Sequence, residues 1–395
     1  MNTKLILLLL VVADAIFVLF WIDRLSISYD EARLLYGELT FLQLLLSGSL
    51  ALFGSSDFAL RLPMATMHIA SLLLFYSLSK HYIKLERNRL WLLVIFMLLP
   101  GIMSSSLVVN SAGVLICFTL LYIWLYKNGY KTTSIITLLL FIFIDPYFAF
   151  LYFGLIFYAL WHKKWRFLVL NIVLFALSLS IFGIDMHGSP KGYFLDVLGI
   201  YAAIFSPIIF IFLIYSLYRK LLLRDLDIVW FISSVILVVS LLLSFRQRIE
   251  FEYFAPLLIP SLLIVAQIFE HSYRVRLPKF RKGYRVLFLS ALAFLVLNSF
   301  AVAFNELLYL YVKEPKSNFA YNMHVAKPLA SELKQMGIEC VQSDAKMQLR
   351  LRFYGIGECS DHKLVKYDGS SRRVSVSYVG REIYSAGIIS TSNKL

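Results

Sequence analysis

Charge is scarce in this chain. Only 16% of its 395 residues are Asp, Glu, Lys or Arg, while 60% are hydrophobic. Soluble globular domains carry nearer a quarter charged residues, so the composition reads as membrane-embedded. Acid is scarcer than base: 24 Asp and Glu stand against 38 Lys and Arg, a net charge of +14. That excess does not point to nucleic acid. The basic residues cluster in short loops between apolar runs, where the positive-inside rule and anionic head groups account for them. There is no Gly-rich phosphate loop, no internal repeat and no metal-ligand cluster, and the 7 histidines are scattered. His68, within an apolar run, reads as a packed or interfacial residue rather than a ligand. Cysteine occurs 3 times: Cys117 in an apolar run, Cys340 and Cys359 in a polar tail.

What is abundant is the long apolar run. Such runs recur from Leu5 to Leu308, and the mean hydropathy is +0.76. The pattern is that of an all-α polytopic membrane bundle with about eleven membrane helices. The segments fall near 4–22, 58–79, 90–106, 108–126, 134–145, 147–161, 167–185, 198–218, 228–245, 253–270 and 286–306. The first run imitates a signal peptide at Ala13-Asp14-Ala15, but it continues to Ile22 and is read as a retained helix. Alternate loops hold the positive charge. Lys80 to Arg89, Lys127 and Lys131, Lys163 to Arg166, Arg219 to Arg224, and Arg274 to Arg285 form the rich set. That set is expected to be cytoplasmic.

Ser134 to Trp161 is too short for two full spans, so a pair of short helices meeting at Asp145-Pro146 is expected there. Asp145 is expected at a helix tip or in a wet cavity, because a lipid-exposed carboxylate is costly. Gly37 to Asp57 has helical apolar spacing and little charge, as in helices lying along a membrane surface. The organisation is therefore a membrane domain over 1–308, with a first external loop at 23–57, and a small α/β domain over 309–395. In the tail, Met323 to Met336 reads as a helix stopped by Gly337, and Ala345 to Tyr354 as a second helix. Strands are expected at Gly337 to Val341, Gly357 to Cys359 and Val374 to Tyr378, with a turn at Asp368-Gly369. Cys340 and Cys359 then either form a disulfide or are two separate small core residues.

The chemistry centres on Ser28-Tyr29-Asp30-Glu31-Ala32, just past the first apolar run. A carboxylate at a water–lipid boundary can accept a proton from an incoming hydroxyl or amine. Asp30 is the candidate base, and Glu31 the group that orients the acceptor or tunes Asp30. The plainer reading is a helix start, where acids complement the macrodipole and Asp30 caps the helix.

Resemblance favours the first reading. Ser28-Tyr29-Asp30-Glu31-Ala32-Arg33 resembles the opening motif of GT-C glycosyltransferases that use polyprenyl-phosphate sugars. The similar branch holds the lipid A aminoarabinose transferase and the protein O-mannosyltransferases. Arg61-Leu62-Pro63, Pro100, Arg246-Gln247-Arg248 with Glu252-Tyr253, Pro256 to Pro260, and Leu351-Arg352-Phe353-Tyr354 resemble later landmarks in the same order. One departure stands out. Where the branch often has another external acid after the third segment, this chain has Ser104 to Asn110, with Asn110 the nearest candidate.

The resemblance implies a lipid-linked-sugar-dependent transferase of the cell inner membrane, with a periplasmic C-terminal domain. The donor would be a polyprenyl-phosphate sugar and the acceptor an envelope lipid, glycan or protein, with no metal and no cofactor. The implied site is Asp30 and Glu31 for catalysis, with Arg61, Asn110, Arg246, Arg248 and Tyr253 for substrate. Two rivals remain at this point. A transporter or flippase predicts paired charges at mid-membrane and a repeat. An inactive homologue with an assembly role is left open by Asn110.

Overall fold

The computed structural model describes residues 3–183, 192–247, 251–367, 369 and 371–390. The chain divides into two compact units. One comprises Met1–Ile16 and Met64–Ser299, the other Phe17–Pro63 and Phe300–Leu395.

Apolar composition makes the first part almost wholly helical. Its helices are α1 (Thr3–Ile22), α2 (Tyr29–Tyr36), α3 (Phe41–Phe53), α4 (Asp57–Ser79), α5 (Glu86–Met97) and α6 (Pro100–Leu107). There follow α7 (Ser111–Lys127), α8 (Lys131–Ile144), α9 (Phe148–Trp161), α10 (Trp165–Phe182), α11 (Phe194–Phe205) and α12 (Pro207–Leu223). Then come α13 (Ile228–Leu243), α14 (Phe251–Leu258), α15 (Leu262–Val275) and α16 (Arg281–Ala303). Among the described residues, 5 helices are long and apolar enough to cross a bilayer, or up to 8 spans if each bent pair counts as one.

Two of those bent pairs sit where the sequence pattern suggested one continuous run. The α5–α6 pair turns by 60° and the α11–α12 pair by 105°. In each case a proline opens the second helix (Pro100 and Pro207), where its missing N–H is no loss and its ring forbids continuation of the first helix. The pair at Ser134 to Trp161 is as expected. Helices α8 and α9 have 14 residues each and break at Asp145-Pro146. Asp145 is buried and its carboxylate caps the break by accepting from the Tyr147 N–H at 2.9 Å.

Within the first unit the core is aromatic and aliphatic. Phe75 stacks on Phe96 and Phe141 on Phe148, with ring centroids 4.2 and 4.1 Å apart. Helices α9 and α13 approach closely at Gly154, where an added Cβ would lie 3.0 Å from the Ile232 Cα. A small residue at such a crossing lets two membrane helices pack backbone to backbone. His68 is packed, as expected, and bonds Asp14 across α1 and α4 at 2.7 Å. On the loops rich in basic residues, Lys127 pairs with Asp227 at 2.9 Å, and the Tyr82 hydroxyl donates to the same carboxylate.

The second unit contains the C-terminal module, with α17 (Ala326–Gln335), α18 (Ala345–Phe353) and the strands β1 (His362–Val365), β2 (Arg372–Tyr378) and β3 (Arg381–Ser390). The sheet is antiparallel, in the order β1-β3-β2. Gly337, with φ +77°, ends the first helix as expected. Residues expected as strands at 337–341 and 357–359 make a single isolated bridge, Cys340 with Gly357, and just beyond them Gln342 bridges Lys363 of β1. Cys340 and Cys359 form a disulfide 19 residues apart in sequence. Closing a loop of that size stabilises a fold by about 3 kcal/mol in the chain-entropy picture. Val325, Leu329, Leu333, Leu351, Val374 and Val376 make the core of the module.

His324 is fully buried in this core. Its Nδ1 lies 2.9 Å from the Tyr309 hydroxyl, and Nε2 has no partner among the described residues. Burial pushes its pKa down to about 4. An unfolded histidine titrates near 6.5, so in acid the unfolded chain takes up a proton that the folded chain refuses. Stability is therefore complete above about pH 6.5 and falls towards pH 4, by up to about 3 kcal/mol. Thermal unfolding of the purified chain should drop more between pH 7 and 5 than that of His324→Phe. Parallel profiles for the two proteins would exclude this role for His324.

Candidate active site

Helix α2 begins with a reciprocal cap. The Ser28 hydroxyl accepts from the Glu31 N–H at 3.1 Å, and Glu31 Oε2 accepts from the Ser28 N–H at 2.8 Å. This is the Ser-x-x-Glu capping box. The cap is therefore Ser28 rather than Asp30. Its effect is to split the acidic pair. Glu31 points inward and is fully buried, while Asp30, one residue earlier in the first turn, is exposed.

Glu31 meets Arg61 from α4. Arg61 Nε donates to Oε1 at 2.9 Å and Nη2 to Oε2 at 2.7 Å. The other guanidinium protons go to the carbonyls of Ile22 at 2.9 Å, Leu25 at 2.6 Å and Ser26 at 2.9 Å. All five donors of the guanidinium are thus used. Arg61 is fully buried and pairs with Glu31, not with Asp30. Its part at this site is to hold the loop before α2 against α4.

A second clasp escaped the sequence reading. Asp57, the first residue of α4, is buried. Its carboxylate accepts from the Tyr354 hydroxyl at 2.7 Å and faces Lys327 Nζ at 3.0 Å. The Tyr354 oxygen in turn accepts from the Ile27 N–H at 2.8 Å. Burial, helped by the neighbouring Asp57 charge, pushes the Tyr354 phenol pKa up. Arg350 donates to the Ile27 carbonyl at 3.0 Å and to the Asn322 carbonyl. The Ser26 N–H donates to the Met323 carbonyl at 2.8 Å. The Lys327 N–H donates to the Ser26 hydroxyl at 3.1 Å, so four residues of the C-terminal module (Met323, Lys327, Arg350 and Tyr354) fix the segment Ser26-Ile27 that leads into Asp30. The available sequence signal was the run Leu351-Arg352-Phe353-Tyr354, singled out for resemblance and not for what its tyrosine touches.

The remaining candidates belong to the other unit. Asn110 caps α7, its side-chain oxygen accepting from the Gly113 N–H at 3.2 Å. Tyr253 stacks face to face on Tyr147, with ring centroids 3.3 Å apart. Arg246 is exposed past the end of α13 and makes no side-chain hydrogen bond or ion pair among the described residues. Arg248 lies outside the described residues. No group of three or more His, Cys, Asp or Glu that could hold a metal ion occurs among the described residues.

The chain matches no protein-family model and no curated protein. Among solved structures, it is similar to ArnT from Cupriavidus metallidurans in the apo state, at a TM-score of 0.56 and 14% identity. The match covers 96% of this chain and 97% of that one. The same ArnT bound to undecaprenyl phosphate matches at a TM-score of 0.52 and 12% identity over the same shares. The chain therefore has the fold of ArnT along nearly its whole length: a bundle of apolar helices followed by a small C-terminal three-stranded module.

Proposed function

We propose that this chain is an inner-membrane glycosyltransferase that moves a sugar from a polyprenyl-phosphate carrier to an envelope acceptor, with inversion. The observation that carries the reading is the full-length fold likeness to a protein solved with undecaprenyl phosphate. The opening acidic motif supports it. In the proposed reaction Asp30 takes the proton from the acceptor nucleophile. The nucleophile bonds to the anomeric carbon, and the bond from that carbon to the phosphate oxygen breaks. A sugar phosphodiester becomes a polyprenyl phosphate monoester, so negative charge builds on the leaving group. Cationic donors offset such charge, and Arg246 and Arg248 are assigned that task. Tyr253 and Asn110 are assigned to substrate contact. Glu31 and Arg61 act through Asp30, by fixing the helix on which it stands. No metal or cofactor is assigned a step.

The test is transfer by the purified chain from a polyprenyl-phosphate sugar to envelope extract, read as free polyprenyl phosphate and a new glycoside in equal amounts. Carrier moved across a vesicle without a new glycosidic bond would instead make the chain a transporter.

The reading also places Asp30 and the C-terminal module in the periplasm, following the basic loops. Single cysteines introduced at Lys84 and Lys279 should resist a membrane-impermeant maleimide in intact cells, and one at Lys363 should react. All three residues are exposed. A shielded thiol at Lys363 with reactive ones at the other two positions would invert the topology.

A further inference from the structure

We propose that a groove of the second unit holds the phosphate headgroup of an anionic lipid. The groove has a volume of about 670 Å³, within the range of small-molecule sites. Its walls come from α2, α3, α17 and α18. Leu35, Leu50 and Phe353 supply apolar surface, and Ser47 a hydroxyl. Two cations, Lys334 and Arg352, line it, and no described lining residue carries a carboxylate. Both cations are exposed, and neither forms an ion pair among the described residues. The Arg352 guanidinium rests over the Tyr36 ring, 4.5 Å from its centroid. That stacking orients the guanidinium while leaving its N–H edges free for an oxyanion.

Two uncompensated cations beside apolar side chains select an anion with an apolar body. Helix α3 says what that body is. Its sequence FLQLLLSGSLALF has no charged residue. It turns Ser47 and Leu50 into the groove while exposing Leu44, Leu52 and Phe53. An uncharged helix with such an outer face suits acyl chains, and Lys and Arg beside it suit the phosphate. A free phosphate would use the cations and leave the apolar surface unused. The inference stands whether or not the chain transfers sugar, since neither cation is assigned to that reaction.

A cysteine at Ser47 reports on the groove. In the detergent-purified full chain, Ser47→Cys should react with maleimide, and dioctanoyl phosphatidylglycerol should slow the reaction. Dioctanoyl phosphatidylcholine and inorganic phosphate should not. Adding Lys334→Ala and Arg352→Ala should raise the half-protecting phosphatidylglycerol concentration about tenfold or more. The charge-conserving pair Lys334→Arg and Arg352→Lys should keep the protection, which separates lost charge from lost structure. Equal protection by phosphatidylcholine would make the groove a neutral apolar cleft. Equal protection by inorganic phosphate would make it a simple anion site. Either result, or protection that survives the double alanine change, overturns the proposal.

Discussion

Asp30→Asn is expected to slow sugar transfer by about 10²–10⁴-fold while leaving the chain folded. The substitution keeps size and removes the proton acceptor. Asp30 is exposed and makes no hydrogen bond or ion pair among the described residues, so little of the fold depends on it. What the fold does lose is one negative charge in the first turn of α2, worth about 0.3–1 kcal/mol. The expected signature is therefore a collapsed turnover number with an almost unchanged melting temperature and with accumulation of the lipid-linked donor. Turnover near that of the wild type, at equal expression, would remove Asp30 from the chemistry.

Arg61→Met is expected to do the opposite: the fold suffers first. It leaves the Glu31 carboxylate buried without its counter-charge, and three carbonyls lose their donor. Breaking a buried pair from one side costs about 3–5 kcal/mol. Replacing both members, Arg61→Met with Glu31→Leu, should recover part of that loss, because no charge then stays buried. Thermal unfolding of the two single variants and the double variant, analysed as a cycle, gives the coupling directly. A single Arg61→Met variant that melts with the wild type would show that the pair does not hold this region. With Asp30→Asn, these variants separate proton transfer from seating.

The membrane helices were legible because the bilayer permits few alternatives: a long apolar run without charge must be a helix. The break at Asp145-Pro146 followed from length together with loop charge, since a single span would place Lys163, Lys164 and Arg166 on the external side. The breaks at Pro100 and Pro207 were missed, although each proline was in view, because an apolar run of suitable length also reads as one span. Around the acidic pair, which side chain meets which was not legible. Ser28 and Glu31 stand three apart, the capping-box spacing, yet the carboxylates drew attention as a pair. Arg61 was assigned to substrate, because spacing cannot say which of two adjacent acids points inward to meet it. Asp57 and Tyr354 are 297 residues apart, and nothing local in either one announces the other.

The hydrogen bond from the Ile27 N–H to Tyr354 spans 327 residues. Translation proceeds at roughly 5–20 residues per second. About half a minute thus separates the ribosome's reading of the codon for Ile27 from its reading of the codon for Tyr354. Throughout that interval the segment ahead of Asp30 lacks the side chains that seat it. Asp30 is made early but becomes seated only once the segment that carries Arg350 and Tyr354 has been delivered, so a nascent or prematurely terminated chain lacks the clasp that positions it.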